Sequence, residues 1–212
     1  MDKRKKALLL SGGVLALACA IAGLIVLWYQ VFEVRFYPKR FGAVSEGKIY
    51  RSGRIHPVLI EDTLRENGIR TIISLTGNDG HSAPENNAAK KLGIKIYYFT
   101  MQGSGICSAQ EYATVLKTLN DSVKNNPPVL VHCSAGVNRT GAVIALYGMF
   151  VEKKSTHEAY KELLLYDWSP SRNGKLIPHL NGIMGEMSEL LVKNGTIREL
   201  PHPIPQFKRD DD

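Results

Sequence analysis

An apolar, β-prone run, Pro128-Val129-Leu130-Val131, passes directly into His132-Cys133-Ser134-Ala135-Gly136-Val137-Asn138-Arg139-Thr140-Gly141, and a stretch of helical character follows from Arg139 to Glu152. A buried strand that turns at once into a helix needs strands beside it and must fold its helix back over the sheet. At such a turn, successive backbone N–H groups converge on one anion, and the helix dipole adds positive potential. Here those groups belong to Ser134, Ala135, Gly136, Val137, Asn138 and Arg139. The same field favours thiolate over thiol, so Cys133 reads as an acidic nucleophile. Arg139 carries a planar fork suited to two oxygens of a phosphoryl group. Thr140 can offer its hydroxyl to the sulfur, and His132 can brace the loop.

The remainder alternates strand and helix. Short strands are expected at Lys48–Arg51, Arg70–Leu75 and Ile94–Thr100. Helices are expected from His56-Pro57 to Gly68 and from Pro84 to Leu92, the latter stopped by Gly93. Ser108-Ala109-Gln110-Glu111 and Ser155-Thr156-His157-Glu158 are capping boxes that open two more, the second running to about Asp167. A last helix spans Leu176 to Lys193. The pattern gives one α/β domain, 41–195, with a mainly parallel central sheet flanked by helices and an anion site at the carboxyl end of a strand. The tail, 196–212, with Pro201, Pro203 and Pro205, reads as mobile.

The amino-terminal region is different. Ala7 to Trp28 is 22 residues without a charge, enough helix to cross a bilayer and longer than a typical signal-peptide core. Lys3, Arg4, Lys5 and Lys6 precede it. The positive-inside rule then gives a basic cytoplasmic head, 1–6, a transmembrane helix, 7–28, a linker, 29–40, and a catalytic domain across the membrane. Cleavage after Ala18 or Ala20 is the competing reading, and a lipidated Cys19 a weaker one. Asn138-Arg139-Thr140 is also an N-glycosylation acceptor, and a glycan there would ruin an anion cradle, which favours a bacterial periplasm over a eukaryotic lumen.

The ten residues His132 to Gly141 resemble the active-site loop of cysteine-dependent protein phosphatases, Cys-x5-Arg-Ser/Thr. Lys48-Ile49-Tyr50-Arg51-Ser52-Gly53 and Gly68 to Leu75 resemble the opening of the compact dual-specificity type, with bacterial exported members the nearest likeness. The resemblance covers about Phe41 to Tyr166. It implies a dual-specificity-phosphatase-like fold and phosphomonoester hydrolysis through a phosphocysteine on Cys133, with no cofactor. The substrate would be a phosphorylated protein. The alternatives are a phospholipid or phosphosugar at the membrane, or a phosphate-binding module without turnover. Arg51 and Ser52 are candidates for contact with the loop, and read equally well as structural residues early in the domain.

One part of the family pattern is missing. Relatives place an acidic residue on the loop after the strand that precedes the capped helix, to protonate the leaving group. Here that loop is Met101-Gln102-Gly103-Ser104-Gly105-Ile106-Cys107, without a carboxylate. Asp79, Glu85, Glu111 and Asp167 are the substitutes, each more readily read as an ordinary surface or capping carboxylate. Asn138 has no useful proton to donate. Cys107 reads as a buried small side chain, or as a partner for a reversible disulfide with Cys133. His56, His81, His157, His179 and His202 lack metal-ligand spacing, so no metal is expected. The net charge of +7 owes +3 to residues 2–6, and no basic stripe interleaved with aromatics points to nucleic acid.

Overall fold

The computed structural model describes residues 3–28 and 33–208, which form two compact units divided between Tyr37 and Pro38. The first holds helix α1 (Lys3–Leu27) and a short helix α2 (Glu33–Phe36), the latter inside the expected linker. Apolar side chains of α1 such as Leu15, Leu17, Leu24 and Val26 are exposed. The expected membrane span, 7–28, lies partly outside the residues whose side chains are described. Among the described residues no helix is long and apolar enough to cross a membrane.

The second unit is built on five strands: β1 (Gly42–Ser45), β2 (Ile49–Ser52), β3 (Thr71–Ser74), β4 (Lys95–Tyr98) and β5 (Val129–His132). They lie in the order β1-β2-β5-β3-β4. Only β1 runs antiparallel, paired with β2. It was not anticipated, because four residues at a sheet edge carry too little pattern to stand out. The expected strands are all present: β3 and β4 are shorter at their ends than read, and β2 and β5 lie one residue further along the chain.

Alternation of side chains along the strands explains the layers. Ile49, Ile73, Val129 and Val131 face a large core shared with helices α5 (Ala109–Asn125), α6 (Asn138–Phe150), α7 (Thr156–Leu165) and α9 (Leu176–Lys193). Tyr50, Ile72 and Leu130 face a smaller core beneath α3 (Ile60–Glu66) and α4 (Ala83–Leu92). With both faces covered, Val129, Leu130 and Val131 of β5 have to be apolar, and His132 at its end is buried with them. Both capping boxes form as read, at Ser108 and at Ser155. Gly93 ends α4 in the left-handed conformation (φ +67°). A single turn, α8 (Pro170–Asn173), links α7 to α9.

The register sets the site. Ser52 and Ser74 both pair with His132, so β2, β5 and β3 finish level at their carboxyl ends. Chain leaving β5 emerges into the crevice above that edge. Part of the carboxyl-terminal segment, 196–212, makes contacts with the domain. Phe207 is buried, its N–H donates to Asn181 Oδ1 (2.8 Å), and its carbonyl accepts from Asn181 Nδ2 (3.0 Å), while Arg198 to Leu200 and His202-Pro203 are exposed. Prolines at 201, 203 and 205 keep regular structure out of this stretch, and the Phe207–Asn181 contact ties its end to α9.

Candidate active site

Residues 133–137 form a tight loop between β5 and α6. Gly136 makes the turn possible, with φ +76° and a backbone so close to its neighbour that a Cβ there would lie 2.5 Å from the Gly53 nitrogen. A Cβ on Gly53 would lie 2.9 Å from the Ala135 carbonyl oxygen. The two glycines let the end of β2 and the loop interlock.

Cys133 sits at the centre, 2% exposed. Its sulfur accepts the Gly136 N–H at 3.2 Å. Burial by itself raises the thiol pKa. The Thr140 hydroxyl and N–H, the Arg139 charge and the Gly136 N–H outweigh burial and hold it below the ordinary value. The Thr140 hydroxyl is buried beside the sulfur but forms no hydrogen bond of standard geometry with any described atom. Arg139 is fixed by one end. Nη1 donates to the carbonyls of Leu75 (3.0 Å) and Met101 (3.3 Å), and Nη2 reaches Ser134 Oγ at 3.4 Å. Its buried Nε finds no acceptor among the described residues. A buried donor without a partner calls for an explanation, and an incoming oxyanion supplies one. Thiolate, loop N–H groups and a half-satisfied guanidinium together make a receptor for a tetrahedral anion.

Residues 55–185 match the family model described as dual specificity phosphatase, catalytic domain. The chain belongs to the dual-specificity phosphatase family. Over 90 residues it is 33% identical to dual specificity protein phosphatase OPG106 of monkeypox virus, an overlap covering 42% of this chain and 48% of that protein. The chain thus spans no more than about half the length of the curated relatives it matches. Among solved structures it shares its fold with P. aeruginosa TpbA (TM-score 0.59, 20% identity, covering 73% of this chain and 90% of that one). It also shares it with the core catalytic domain of the S. cerevisiae PP-IP phosphatase SIW14 (TM-score 0.61, 22% identity, 74% and 94%).

His132 lies behind the dual-specificity phosphatase loop and is 2% exposed. Its Nε2 is 2.8 Å from Glu85 Oε1, an ion pair at the N-terminal turn of α4. Burial lowers the imidazole pKa, but Glu85 and the Cys133 thiolate more than compensate and raise it. Glu85, read as a possible acid, is therefore the buried partner of His132. A raised folded-state pKa stabilises the fold fully below the ordinary value of 6.5, and this contribution disappears as pH rises through the raised value. Glu85→Gln should lower stability by about 1–3 kcal/mol at pH 6 and by less at pH 9. Melting temperatures of both proteins across that range check it, and a deficit independent of pH would show that the pair is not ionic.

The other carboxylate candidates are also committed elsewhere. Asp79 pairs with Arg54 at 2.7 Å, which with the His81 N–H and the Ser82 hydroxyl holds its pKa at about 2. Glu111 closes the capping box on Ser108. Asp167 pairs with Arg40 at 2.9 Å. The 101–107 loop, by contrast, is pinned over the site. Asn138 Nδ2 donates to the Gly103 carbonyl (3.2 Å), Asn173 Nδ2 to Ser104 (2.8 Å) and the Tyr112 hydroxyl to Gly105 (2.6 Å). Asn138 thus contributes to the anion loop through its backbone and latches the neighbouring loop with its side chain. Cys107 is buried, and burial raises its thiol pKa.

Sequence reading missed three contributors. Arg40, Arg54 and Glu162 all approach the loop or its supports. None stands in a motif with Cys133, and Arg51-Ser52 is the one sequence feature on this side of the site. Among the described residues no cluster of His, Cys, Asp or Glu is arranged to hold a metal ion.

Proposed function

We propose that this chain is a phosphomonoesterase that prefers aryl phosphates, phosphotyrosine among protein substrates. What carries the reading is the pairing of a Cys133 thiol pulled below its ordinary value with an Arg139 Nε that lacks an acceptor. The thiolate attacks phosphorus, the P–O bond to the leaving group breaks, and Arg139 with the loop N–H groups stabilises the equatorial oxygens. Water then cleaves the phosphocysteine, releasing inorganic phosphate and restoring the thiolate.

The preference follows from the absent acid. A phenol of low pKa departs without a proton, whereas a serine alkoxide does not. With the 101–107 loop free of carboxylates and the four substitutes engaged elsewhere, rates should fall steeply from activated aryl to alkyl phosphates. The full chain in detergent, assayed against an aryl and alkyl phosphate series together with phosphopeptides, phospholipid vesicles and phosphosugars, tests this. A flat dependence of kcat/KM on leaving-group pKa would mean that a proton donor is delivered after all. Faster turnover of a lipid or sugar phosphate would replace the protein reading.

Membrane attachment through residues 7–28, with Lys3 to Lys6 cytoplasmic and the catalytic unit periplasmic, belongs to the proposal on the strength of the sequence alone. Protease added to intact spheroplasts should digest the catalytic unit. Its full protection while an external marker is degraded would overturn that orientation.

A further inference from the structure

Three consecutive carbonyls of the catalytic loop are each taken by a donor from one short segment of chain. The Arg54 N–H donates to the Ser134 carbonyl at 3.1 Å. Arg40 Nη1 donates to Ala135 at 2.9 Å, and Arg51 Nη2 to Gly136 at 2.5 Å. All three donors precede residue 55, where the match to the family model begins.

Both arginines are themselves anchored. Arg51 is wholly buried, with Nη1 on Glu162 Oε1 at 2.7 Å and its guanidinium 3.7 Å from the centre of the Tyr166 ring. Arg40 Nε pairs with Asp167. Both acids and the tyrosine come from α7 and the two residues after it. Guanidinium is always charged, and its fork lets one side chain grip an acid and a carbonyl at once.

A planar trans peptide points its C=O and its N–H in opposite directions. Fixing the carbonyls of Ser134, Ala135 and Gly136 outward therefore fixes the N–H groups of Ala135, Gly136 and Val137 inward. The Gly136 N–H already reaches the Cys133 sulfur. Successive inward N–H groups of this kind make an anion nest, and a nest fixed in advance needs no reorganisation when charge arrives.

We propose that Arg51 and Arg40 are positioning residues for phosphate capture, holding the loop carbonyls outward so that its N–H groups face the phosphate before it binds. This rests on the phosphatase reading above. It assigns Glu162 and Asp167 the task of orienting the two arginines, and Asp167 no part in proton transfer.

The test uses the full chain in detergent and the variants Arg51→Lys, Arg40→Gln and Glu162→Gln. Two readouts are independent of turnover: binding of inorganic phosphate by calorimetry, and the pH profile of Cys133 alkylation by iodoacetamide, followed by peptide mass mapping to separate it from Cys107 and Cys19. Phosphate affinity should fall about tenfold in Arg51→Lys, the weight of one charge-assisted hydrogen bond, and less in the other two. The alkylation profile should move to higher pH in all three, and KM should rise more than kcat falls. Arg40 and Glu162 are partly exposed, so their variants decide the matter if Arg51→Lys does not fold. Folded variants with wild-type phosphate affinity and alkylation profile would make the clamp merely structural and overturn the proposal. A wild type that binds no phosphate and alkylates at an ordinary thiol pKa would overturn the phosphatase reading beneath it, a result distinct from the first.

Discussion

Cys133→Ser is expected to leave a folded chain whose phosphatase turnover is lower by roughly four or more orders of magnitude. The substitution exchanges one atom at a site already surrounded by donors, so packing should survive. Chemistry should not. A serine hydroxyl has a pKa far above that of a thiol, and the Thr140, Gly136 and Arg139 contacts that depress the Cys133 value cannot bring an alcohol into reach. The anion cradle itself is made of backbone, so inorganic phosphate should still bind. Wild-type activity should rise with pH through the lowered thiol pKa, because the thiolate is the attacking form. Retention of near-wild-type turnover by the serine variant, with circular dichroism unchanged, would sink covalent catalysis at this position.

The sequence and the structure agree best where a pattern is local. The strand-loop-helix signature placed Cys133, Arg139 and Thr140 together because Val129, Leu130 and Val131 of β5 are apolar on both faces and α6 follows after a five-residue loop. The two capping boxes announced α5 and α7 because each is closed by residues three apart. Elements without local pattern were illegible. The edge strand β1 is four residues long, and the docked tail depends on a contact between Phe207 and Asn181, 26 residues apart. The supports of the loop were hidden for the same reason. Arg40 lies 95 residues from the carbonyl it holds, and Arg51 lies 111 residues from Glu162. Glu85 shows the opposite failing. Its type and loop position suggested an acid, and only the packing of α4 against the end of β5 reveals it as the partner of His132.

Arg139→Lys is the second large effect, with kcat/KM expected to fall by about two to three orders of magnitude. Nη1 is already held by the Leu75 and Met101 carbonyls, which aims the remaining edge of the guanidinium, Nε and Nη2, at a ligand. A lysine ammonium reaching the same place would donate to those two carbonyls and present no parallel pair of N–H groups to a phosphoryl in flight. Its charge would be kept, so the Cys133 thiolate should lose little of its stabilisation. The alkylation profile of Cys133 should therefore stay close to that of the wild type while turnover collapses. That separation distinguishes a transition-state contact from a field effect. A collapse of turnover accompanied by a large rise in the Cys133 pKa would assign Arg139 mainly to activating the nucleophile. Unchanged kcat/KM would leave the arginine with no role beyond tying the 101–107 loop to β3.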